Sequence, residues 1–430
     1  MDMTDRITPV RLPQELVDAI LDYLHDEPRT MRSCSLVCHA WLPSGRSHLF
    51  AKICLKATSP QTGLAVPQER CERLYKLLQR VPAIIPCIRE LEICEGNPLH
   101  HYNSDVQGST TWVTTERSLA ALFRMLTHVQ RFKFAATSTL YWTLLPPTFQ
   151  SALCTLLAQP SLAYLRLHSW MFPNVAALTG LLAHCKNLRA FALSSTNVSG
   201  SDSGPELGLD TPAAGVPYNG AIDGYGGVCR APLEVLTLDF VTFAHLEYWL
   251  LAHPALVDVR RLRELRVANF HDAQIIKKLL FTVGDSLEHF HLKPGTWDAG
   301  VFDLSHNTGL RSIRLTLDVP ETAMDWAATI LANISPHNTS LASVGLEFYA
   351  DPKKISGWGA LNALFMHPAL AALQQVEIGL FAYPNQADFI AVKEEMRGLD
   401  ARGIVRWYQL GVKSHKSSPG LTPRICQYEA

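Results

Sequence analysis

The chain has 430 residues, of which 47% are hydrophobic and 18% charged, and its formal net charge is -1. This composition is typical of a folded protein with a large core, and it excludes a chain dominated by disorder. The near-neutral charge gives no general attraction to nucleic acid or to anionic membranes. Since no signal peptide is recognisable and no apolar run approaches the roughly 20 residues of a membrane helix, we expect a cytoplasmic or nuclear protein.

Ten cysteines are spread along the chain without a CxxC pair. In a reducing compartment, this pattern indicates small buried hydrophobic residues rather than a disulfide framework or a zinc site. We therefore expect neither a metal ion nor another cofactor.

Amphipathic helices are predicted at the front of the chain. The first helix is predicted to start at Pro13, and its apolar residues Leu16, Ile20, Leu21 and Leu24 follow at helical spacing. A second helix is predicted from Pro28 through Met31, Cys34, Cys38 and Trp41, with Leu36 and Val37 widening its apolar face. A third is predicted around residues 44–52, with Leu49, Phe50 and Ile53 as its apolar residues. Three helices of this size need a partner or a following domain to cover their apolar surface.

This region, residues 8–55, resembles the F-box pattern. The matching residues are Leu12, Pro13, Glu15, Leu16, Ile20, Leu21, Leu24, Leu36, Val37, Cys38 and Trp41. The resemblance implies binding to a Skp-type adaptor and, through it, to a cullin scaffold. It also implies that the adaptor contacts come from Leu12, Pro13, Leu16, Ile20, Leu21, Leu24, Leu36 and Val37, whereas Cys38 and Trp41 hold the helices together. The alternative is a three-helix cap on a larger fold.

Residues 56–87 are predicted to form a helical linker, because an amphipathic stretch, PQERCERLYKLLQR, precedes a proline-bounded turn. This arrangement resembles the linker of fungal F-box proteins. A loose L-x-x-L-x-L signature then returns ten times. Its first positions are Ile88, Val129, Leu162, Leu188, Leu233, Leu262, Leu287, Leu310, Leu341 and Leu373, and an eleventh copy is placed at Val405, Tyr408 and Leu410.

Most intervals between these copies contain an amphipathic helical stretch. A strand plus a helix at this period is typical of leucine-rich repeats, whose copies stack into a curved solenoid. The asparagine that the family carries eight positions after the first leucine is missing. The predicted fold is therefore α/β: a three-helix F-box followed by an irregular leucine-rich-repeat-like solenoid over residues 88–411. The alternative is a doubly wound α/β sheet.

Two stretches break the period, and both are predicted to be loops. Residues 98–115 are polar, and residues 197–232 are rich in glycine and proline. The second is interpreted either as a neutral insertion or as a flap over the binding face. Residues 412–430 are predicted to be a flexible tail.

The repeat register predicts a binding face, because strand side chains alternate and positions three, five and seven point away from the buried leucines. The candidate client-binding residues are Arg131, Lys133, Tyr164, Arg166, His168, Arg266, His289, His291, Lys293 and Arg314. Guanidinium groups bind carboxylate or phosphate, so we predict an acidic or phosphorylated client. The alternative is a solvated strand face. His289 and His291 share that face, but no Cys or Asp completes a metal-ligand set.

No enzyme motif is recognisable. GYGGVC lacks the glycine spacing of a dinucleotide fingerprint, and GSDSG has Asp202 where a nucleophile elbow needs serine. We therefore expect a non-catalytic substrate receptor of an SCF-type ubiquitin ligase, which binds an adaptor, a cullin and a client protein. The alternative is a non-degradative scaffold with a divergent F-box. A hydrolase or transferase within the repeats is a third class that no motif supports.

Overall fold

The computed structural model describes residues 12–56, 67–95, 112–198, 231–241, 246–247, 250–251, 257–270, 272–295, 302–318, 320–334, 337–349, 355–367, 370–380 and 386–410. The chain forms two compact units. The first unit comprises Met1–Thr137 and Leu145–Leu162, and the second comprises Ser138–Leu144 and Ala163–Ala430. The predicted tail, most of the loop at 197–232 and the predicted loop up to residue 111 lie outside the described residues.

The first unit combines helices with parallel strands. Its helices are α1 (Gln14–Tyr23), α2 (Pro28–Cys34), α3 (Leu42–Leu49), α4 (Pro67–Arg80), α5 (Trp112–Thr115), α6 (Arg117–Met125) and α7 (Pro147–Leu157). Its strands are β1 (Lys52–Lys56), β2 (Glu90–Glu95) and β3 (Arg131–Tyr141), of which the last four residues of β3 fall in the second unit. β2 pairs in parallel with both β1 and β3. The predicted loop at 98–115 therefore ends in a short helix, α5.

Helices α1, α2 and α3 enclose a small core of their own. Val17, Leu21 and Met31 are buried at its centre, and Leu24, Cys34, Trp41 and Leu49 pack around them. The predicted start of α2 at Pro28 is confirmed, but the predicted end at Trp41 is wrong. The helix stops at Cys34, where the Ser35 hydroxyl donates to the carbonyl of Arg32, a local bond that competes with helix continuation.

The third helix also differs from its prediction. α3 occupies Leu42–Leu49 rather than 44–52, and Ile53 lies in strand β1. The carbonyl of Ala51 accepts the N–H groups of Arg89 and Glu90, at 3.0 and 2.8 Å, which sets β1 beside β2. The sheet therefore begins within the segment predicted as an F-box, and β1 crosses the predicted boundary at residues 55 and 56. The amphipathic helix predicted in the following linker is confirmed as α4.

The second unit repeats strands and helices along most of its length. Its strands are β4 (Tyr164–Phe172), β5 (Ala190–Ser194), β6 (Asn197–Val198), β7 (Ala231–Pro232), β8 (Val235–Asp239), β9 (Val257–Asp258), β10 (Glu264–Phe270), β11 (His289–Pro294), β12 (Ser312–Leu317), β13 (Ser343–Phe348), β14 (Gln375–Leu380) and β15 (Val405–Gln409). Its helices are α8 (Val175–Leu182), α9 (Ala273–Val283), α10 (Pro320–Ala332), α11 (Trp358–Phe365), α12 (Gln386–Glu395) and α13 (Arg397–Ala401).

The main strands of this unit form an open parallel sheet in chain order. The order is β4, β5, β8, β10, β11, β12, β13, β14 and β15, with β6 beside β4 and a separate pair of β7 and β9. A doubly wound sheet requires a point where the strand order reverses, and the described strands contain none. The helices α10, α11 and α13 contact one another in sequence. The α/β class is confirmed, and the doubly wound alternative is wrong.

The strand register agrees with the L-x-x-L-x-L pattern. Positions four and six form rows of buried side chains along the sheet, such as Leu165, Phe191, Leu236, Leu265 and Phe290. The predicted eleventh copy is the exception. Val405 pairs with Val376 at position four instead of occupying position one, so Tyr408 lies beside Gly379 on the opposite, open face.

A backbone interaction at position two recurs between neighbouring strands. In the described part of the second unit, each of seven carbonyls accepts two N–H groups of the following repeat at 2.7 to 3.1 Å. These carbonyls belong to Ala163, Arg189, Glu234, Arg263, Glu288, Arg311 and Ala342. Because one carbonyl binds two N–H groups of the next strand, the register between the two strands is fixed. The rows of side chains therefore remain aligned.

The strand ends explain the missing asparagine. The residues Ser169, Ser195, Phe240 and Asn269 have left-handed backbone with φ between 49° and 58°, and each follows its first leucine by seven positions. The chain therefore turns one residue before the position at which leucine-rich repeats carry asparagine. Amide side chains act elsewhere: buried Asn307 donates to the carbonyls of Leu280 and Gly284, at 3.0 and 2.8 Å.

Replacement of Ser195 by glycine is expected to stabilise the second unit by about 1 kcal/mol, because glycine adopts left-handed backbone without steric cost. The N–H of this residue still donates to the carbonyl of Asp239 after the change. Native-state hydrogen exchange of the β5 and β8 amides measures the effect. The control Ala192→Gly lies in strand β5 and should destabilise by roughly 0.5–1 kcal/mol. A loss of protection in Ser195→Gly would contradict the interpretation of this turn.

Candidate interaction surfaces

The first candidate surface consists of apolar side chains on and near α1. We call these residues the N-terminal apolar surface: Leu12, Leu16, Ile20, Tyr23, Leu36 and Val37, with exposed fractions of 50%, 52%, 40%, 87%, 84% and 64%. Leu16, Ile20 and Tyr23 follow one another at intervals of four and three residues, so they share one side of α1. Leu36 and Val37 lie in the turn between α2 and α3.

The remaining residues predicted for adaptor contact have other positions. Pro13 is exposed, and its carbonyl accepts the first N–H groups of α1. Leu21 is fully buried and Leu24 packs against the same core, so both stabilise the helices instead of facing outward. Trp41 packs as predicted, whereas Cys38 is exposed and does not hold the helices together. Tyr23 was not predicted, although its spacing from Ile20 indicated the same face.

The second candidate surface is the open face of the strands. All ten predicted client-binding residues are partly exposed on their strands, as the alternating pattern indicated. Arg131 and Lys133 belong to the first unit, and the other eight belong to the second. The register places Arg266, His291 and Arg314 side by side on three consecutive strands. Arg166 is separated from Arg266 by two strands that carry Ala192 and Thr237 in the same row.

Arg314 is the centre of a polar cluster at positions five and seven. Its guanidinium donates to Glu347 and Glu377, both at 2.7 Å, and to the Tyr408 hydroxyl at 3.1 Å. Tyr408 in turn donates to Glu347 at 3.0 Å. Burial opposes ionisation of Glu347, but the charge and hydrogen bond of Arg314 outweigh it and hold its pKa below the ordinary value. Glu347 is therefore ionised and offsets the charge of Arg314.

Gly379 makes room for this cluster. A Cβ atom at this position would lie 2.6 Å from the Tyr408 ring, so any larger residue would displace the tyrosine. The repeat pattern predicts Tyr408 for the buried row, and this prediction is wrong. The reason is the shifted register of the last strand. The small Gly379, which lies opposite Tyr408, is the sequence signal for the open face.

His291 and His289 hydrogen bond within the sheet face. His291 Nε2 lies 3.1 Å from the Thr316 hydroxyl, and His289 Nδ1 lies 2.7 Å from the Ser312 hydroxyl. Burial lowers the pKa of His291 to about 4, although the neighbouring Glu347 acts in the opposite direction. His291 is therefore neutral near pH 7. Neither histidine belongs to a group of metal-binding side chains among the described residues.

The other predicted cations are also mostly paired. Lys133 lies 2.7 Å from Glu90, Arg131 lies 3.7 Å from the same carboxylate, and Lys293 lies 3.1 Å from Asp318. Arg266 donates to Glu264. Arg166 has no ion-pair partner among the residues that the structure describes. These pairs remove most of the excess positive charge on which the prediction of an acidic client depended.

A row of charges at position two was missed in the sequence analysis. Arg263 donates twice to Glu288, at 2.8 and 3.0 Å, and Arg311 lies 3.6 Å from that carboxylate. Arg189 and Glu234 pair more loosely at 3.9 Å. In the sequence, the position-two residues of these successive repeats alternate between positive and negative charge, and the strand register shows that they are neighbours. Because these pairs are exposed, water and salt screen them, and their contribution to stability is small.

No helix in the described part of the chain is long and apolar enough to cross a membrane. Within the same residues, one group of side chains could hold a metal ion, namely Cys54, Glu92 and Cys94 on the first two strands. This group includes no residue predicted from the sequence as a site.

The stability of the second unit is expected to fall as the pH drops from about 6.5 towards 4, because His291 binds a proton more readily in the unfolded chain. Because folding lowers the pKa of His291, the stability that the neutral histidine contributes is fully present above the ordinary histidine pKa. It is lost as the pH falls towards about 4. The variant His291→Gln keeps a hydrogen-bonding group but cannot titrate, so its Tm should decline less between about pH 7 and pH 5.

The matched control is His128→Gln, which changes an exposed histidine in the first unit. It should retain the pH dependence of the original chain. Equal slopes of Tm against pH in the original chain and in His291→Gln would contradict the assignment of a half-buried, neutral His291.

Comparison with known proteins identifies no family for this chain. No family model matches it, and no curated protein matches it either.

Proposed function

We propose that the chain is the substrate-recognition subunit of a cullin-based ubiquitin ligase of the SCF type. In this proposal, helices α1 to α3 form an F-box that binds a Skp-type adaptor, and the strand repeats form an irregular leucine-rich-repeat-like solenoid that binds a client. The observation that carries the proposal is the N-terminal apolar surface, which stays exposed although its helices already have a core.

Several exposed apolar side chains on one surface favour the binding of a partner protein. Burial of a single large aliphatic or aromatic side chain is worth about 1.5–3 kcal/mol, so several together provide substantial binding free energy. Five of the residues that the F-box resemblance assigns to adaptor contact belong to this surface: Leu12, Leu16, Ile20, Leu36 and Val37. The exposed positions thus agree with the positions that the resemblance implies.

The helix that presents this surface is held in place before any partner binds. The Ser44 hydroxyl of α3 donates to Asp18 of α1 at 2.5 Å, and Gln14 donates to the same carboxylate at 2.8 Å. These hydrogen bonds lower the pKa of Asp18 and keep it charged. An ordered α1 loses less conformational entropy on binding, which supports a role as a docking helix.

The open strand face is the proposed client surface. The parallel sheet in chain order supports the solenoid, since stacked repeats give this order. Because Arg314 and Arg266 are already paired with carboxylates, we place the acidic or phosphorylated client segment at Arg166, between Tyr164 and His168 in the same strand. Such a protein performs no chemistry itself. It raises the effective concentration of the client near the ubiquitin-charged enzyme.

The double substitution Leu16→Asp and Ile20→Asp should reduce adaptor affinity by at least about 100-fold, because it places two charges in the proposed apolar interface. Titration of purified full-length protein with a Skp-type adaptor, followed by calorimetry, measures this. Both side chains are exposed, so the circular dichroism spectrum should not change.

The matched control is Phe281→Asp, which charges a more exposed apolar residue on α9 of the second unit. It should leave adaptor binding unchanged. Undiminished binding by the double variant would overturn the assignment of this surface, and no binding by the original chain would overturn the F-box proposal itself.

Replacement of Arg166 by alanine should reduce the recovery of client proteins from cell extract while leaving adaptor and cullin bound. The control Arg189→Ala removes a more exposed arginine of the neighbouring repeat, at position two. If the chain is a substrate receptor, the lifetime of a recovered client lengthens when the chain is deleted. Unchanged lifetimes together with retained adaptor binding would instead support the non-degradative scaffold.

A further inference from the structure

Three potential metal ligands converge on the open face of β1 and β2. The thiols of Cys54 and Cys94 and one carboxylate oxygen of Glu92 all lie within 4.8 Å of one another. Both thiols are partly exposed, and 19% of the Glu92 side chain is accessible, so an ion can reach them. Among the described residues, no other group of three such donors is this close together.

The strand register brings these side chains to one face. Cys54 pairs with Glu92 and Lys56 pairs with Cys94, so the two cysteines are diagonal neighbours on adjacent parallel strands. With strands about 4.8 Å apart and a rise of about 3.3 Å per residue, their Cα atoms are roughly 8 Å apart. A disulfide needs a Cα separation below about 7 Å. The geometry therefore opposes a disulfide, whereas an ion can bridge the longer gap.

One existing donor distance agrees with that of a zinc centre, and the others are below 4.8 Å. Zinc binds sulfur at about 2.3 Å and carboxylate oxygen at about 2.0 Å in tetrahedral geometry, which places sulfur and oxygen about 3.5 Å apart and two sulfurs about 3.8 Å apart. Cys94 Sγ lies 3.5 Å from Glu92 Oε1. Small side-chain rotations of Cys54 and Cys94 would complete the set and leave the fourth position for water.

Charge around the three donors favours the bound state. Two thiolates, one carboxylate and one divalent ion carry a net charge of -1. Lys52 Nζ lies 3.3 Å from Glu92 Oε2, and Lys56 Nζ lies 3.6 Å from Glu92 Oε1. When zinc takes Oε1, Lys52 can keep its partner Oε2, and both ammonium groups stabilise the anionic centre. Binding releases the two thiol protons to solvent.

We propose that Cys54, Cys94 and Glu92 form a zinc-binding site on the first unit. The ligands occur far apart in the sequence and without a CxxC pair, so cysteine spacing alone does not indicate them. The site lies at the start of the sheet, next to the strand that follows α3 directly. A bound ion would link β1 to β2 through side chains in addition to their backbone hydrogen bonds.

The experiment uses the full chain, reduced and stripped of metal, and measures Zn(II) affinity by competition with a chromophoric chelator. The original chain should bind a single zinc ion. Cys54→Ser and Cys94→Ser should each weaken binding by at least about 100-fold, and Glu92→Gln by about tenfold. Substitution with Co(II) should give a thiolate-to-cobalt charge-transfer band that falls by about half in each single cysteine variant.

The matched control is Cys87→Ser, a partly exposed cysteine of the same unit outside the group. It should keep the full affinity and the full charge-transfer band. Near-ultraviolet circular dichroism of each metal-free variant verifies that the fold is retained. Equal losses in Cys87→Ser and Cys54→Ser, or a cobalt spectrum without a thiolate band, would overturn the proposal.

Discussion

The double hydrogen bond at the position-two carbonyls is the constraint on which the sheet of the second unit depends. Each carbonyl accepts two N–H groups of the next repeat, and this fixes the strand register without any side chain. Side chains at positions four and six then form continuous buried rows, whereas positions three and five form continuous rows on the open face. Because the alignment comes from the backbone, the repeats tolerate variable lengths and need no asparagine eight positions after the first leucine.

The same alignment determines the chemistry of the open face. It puts carboxylates within reach of nearly every cation: Glu347 and Glu377 beside Arg314, and Glu264 beside Arg266. Buried or half-buried charges of this kind are stable only when paired, so the pairs fix the face rather than leaving it available to an anion. Arg166 differs because the row beside it continues with Ala192 and Thr237. Because most of the described charges on this face are paired, the face exerts little general attraction on polyanions.

Much of this arrangement could be predicted from the sequence, and the errors have physical causes. The period of the leucines gave the strands, their order and their two faces, because burial depends on alternation that is visible in the residues. Exposed Leu16 and buried Leu21 share one helical stripe in the sequence, so only packing could separate them. Tyr408 is predicted for the wrong face because Val405 occupies position four instead of position one, and a shift by an odd number of residues exchanges the two faces of a strand. The ion pairs and the group formed by Cys54, Glu92 and Cys94 depend on which strands are neighbours, and composition does not contain that information.

The first unit thus has an exposed apolar helix, and the second unit has an aligned strand face on which most of the described charges are paired. Hydrogen–deuterium exchange of the full chain, with and without a Skp-type adaptor, tests this account most directly. The account predicts increased protection in α1 and in the turn from Ser35 to Cys38, with no change in β4 and β10 to β14. Protection confined to the strands, or no protection in α1 at saturating adaptor, would contradict it.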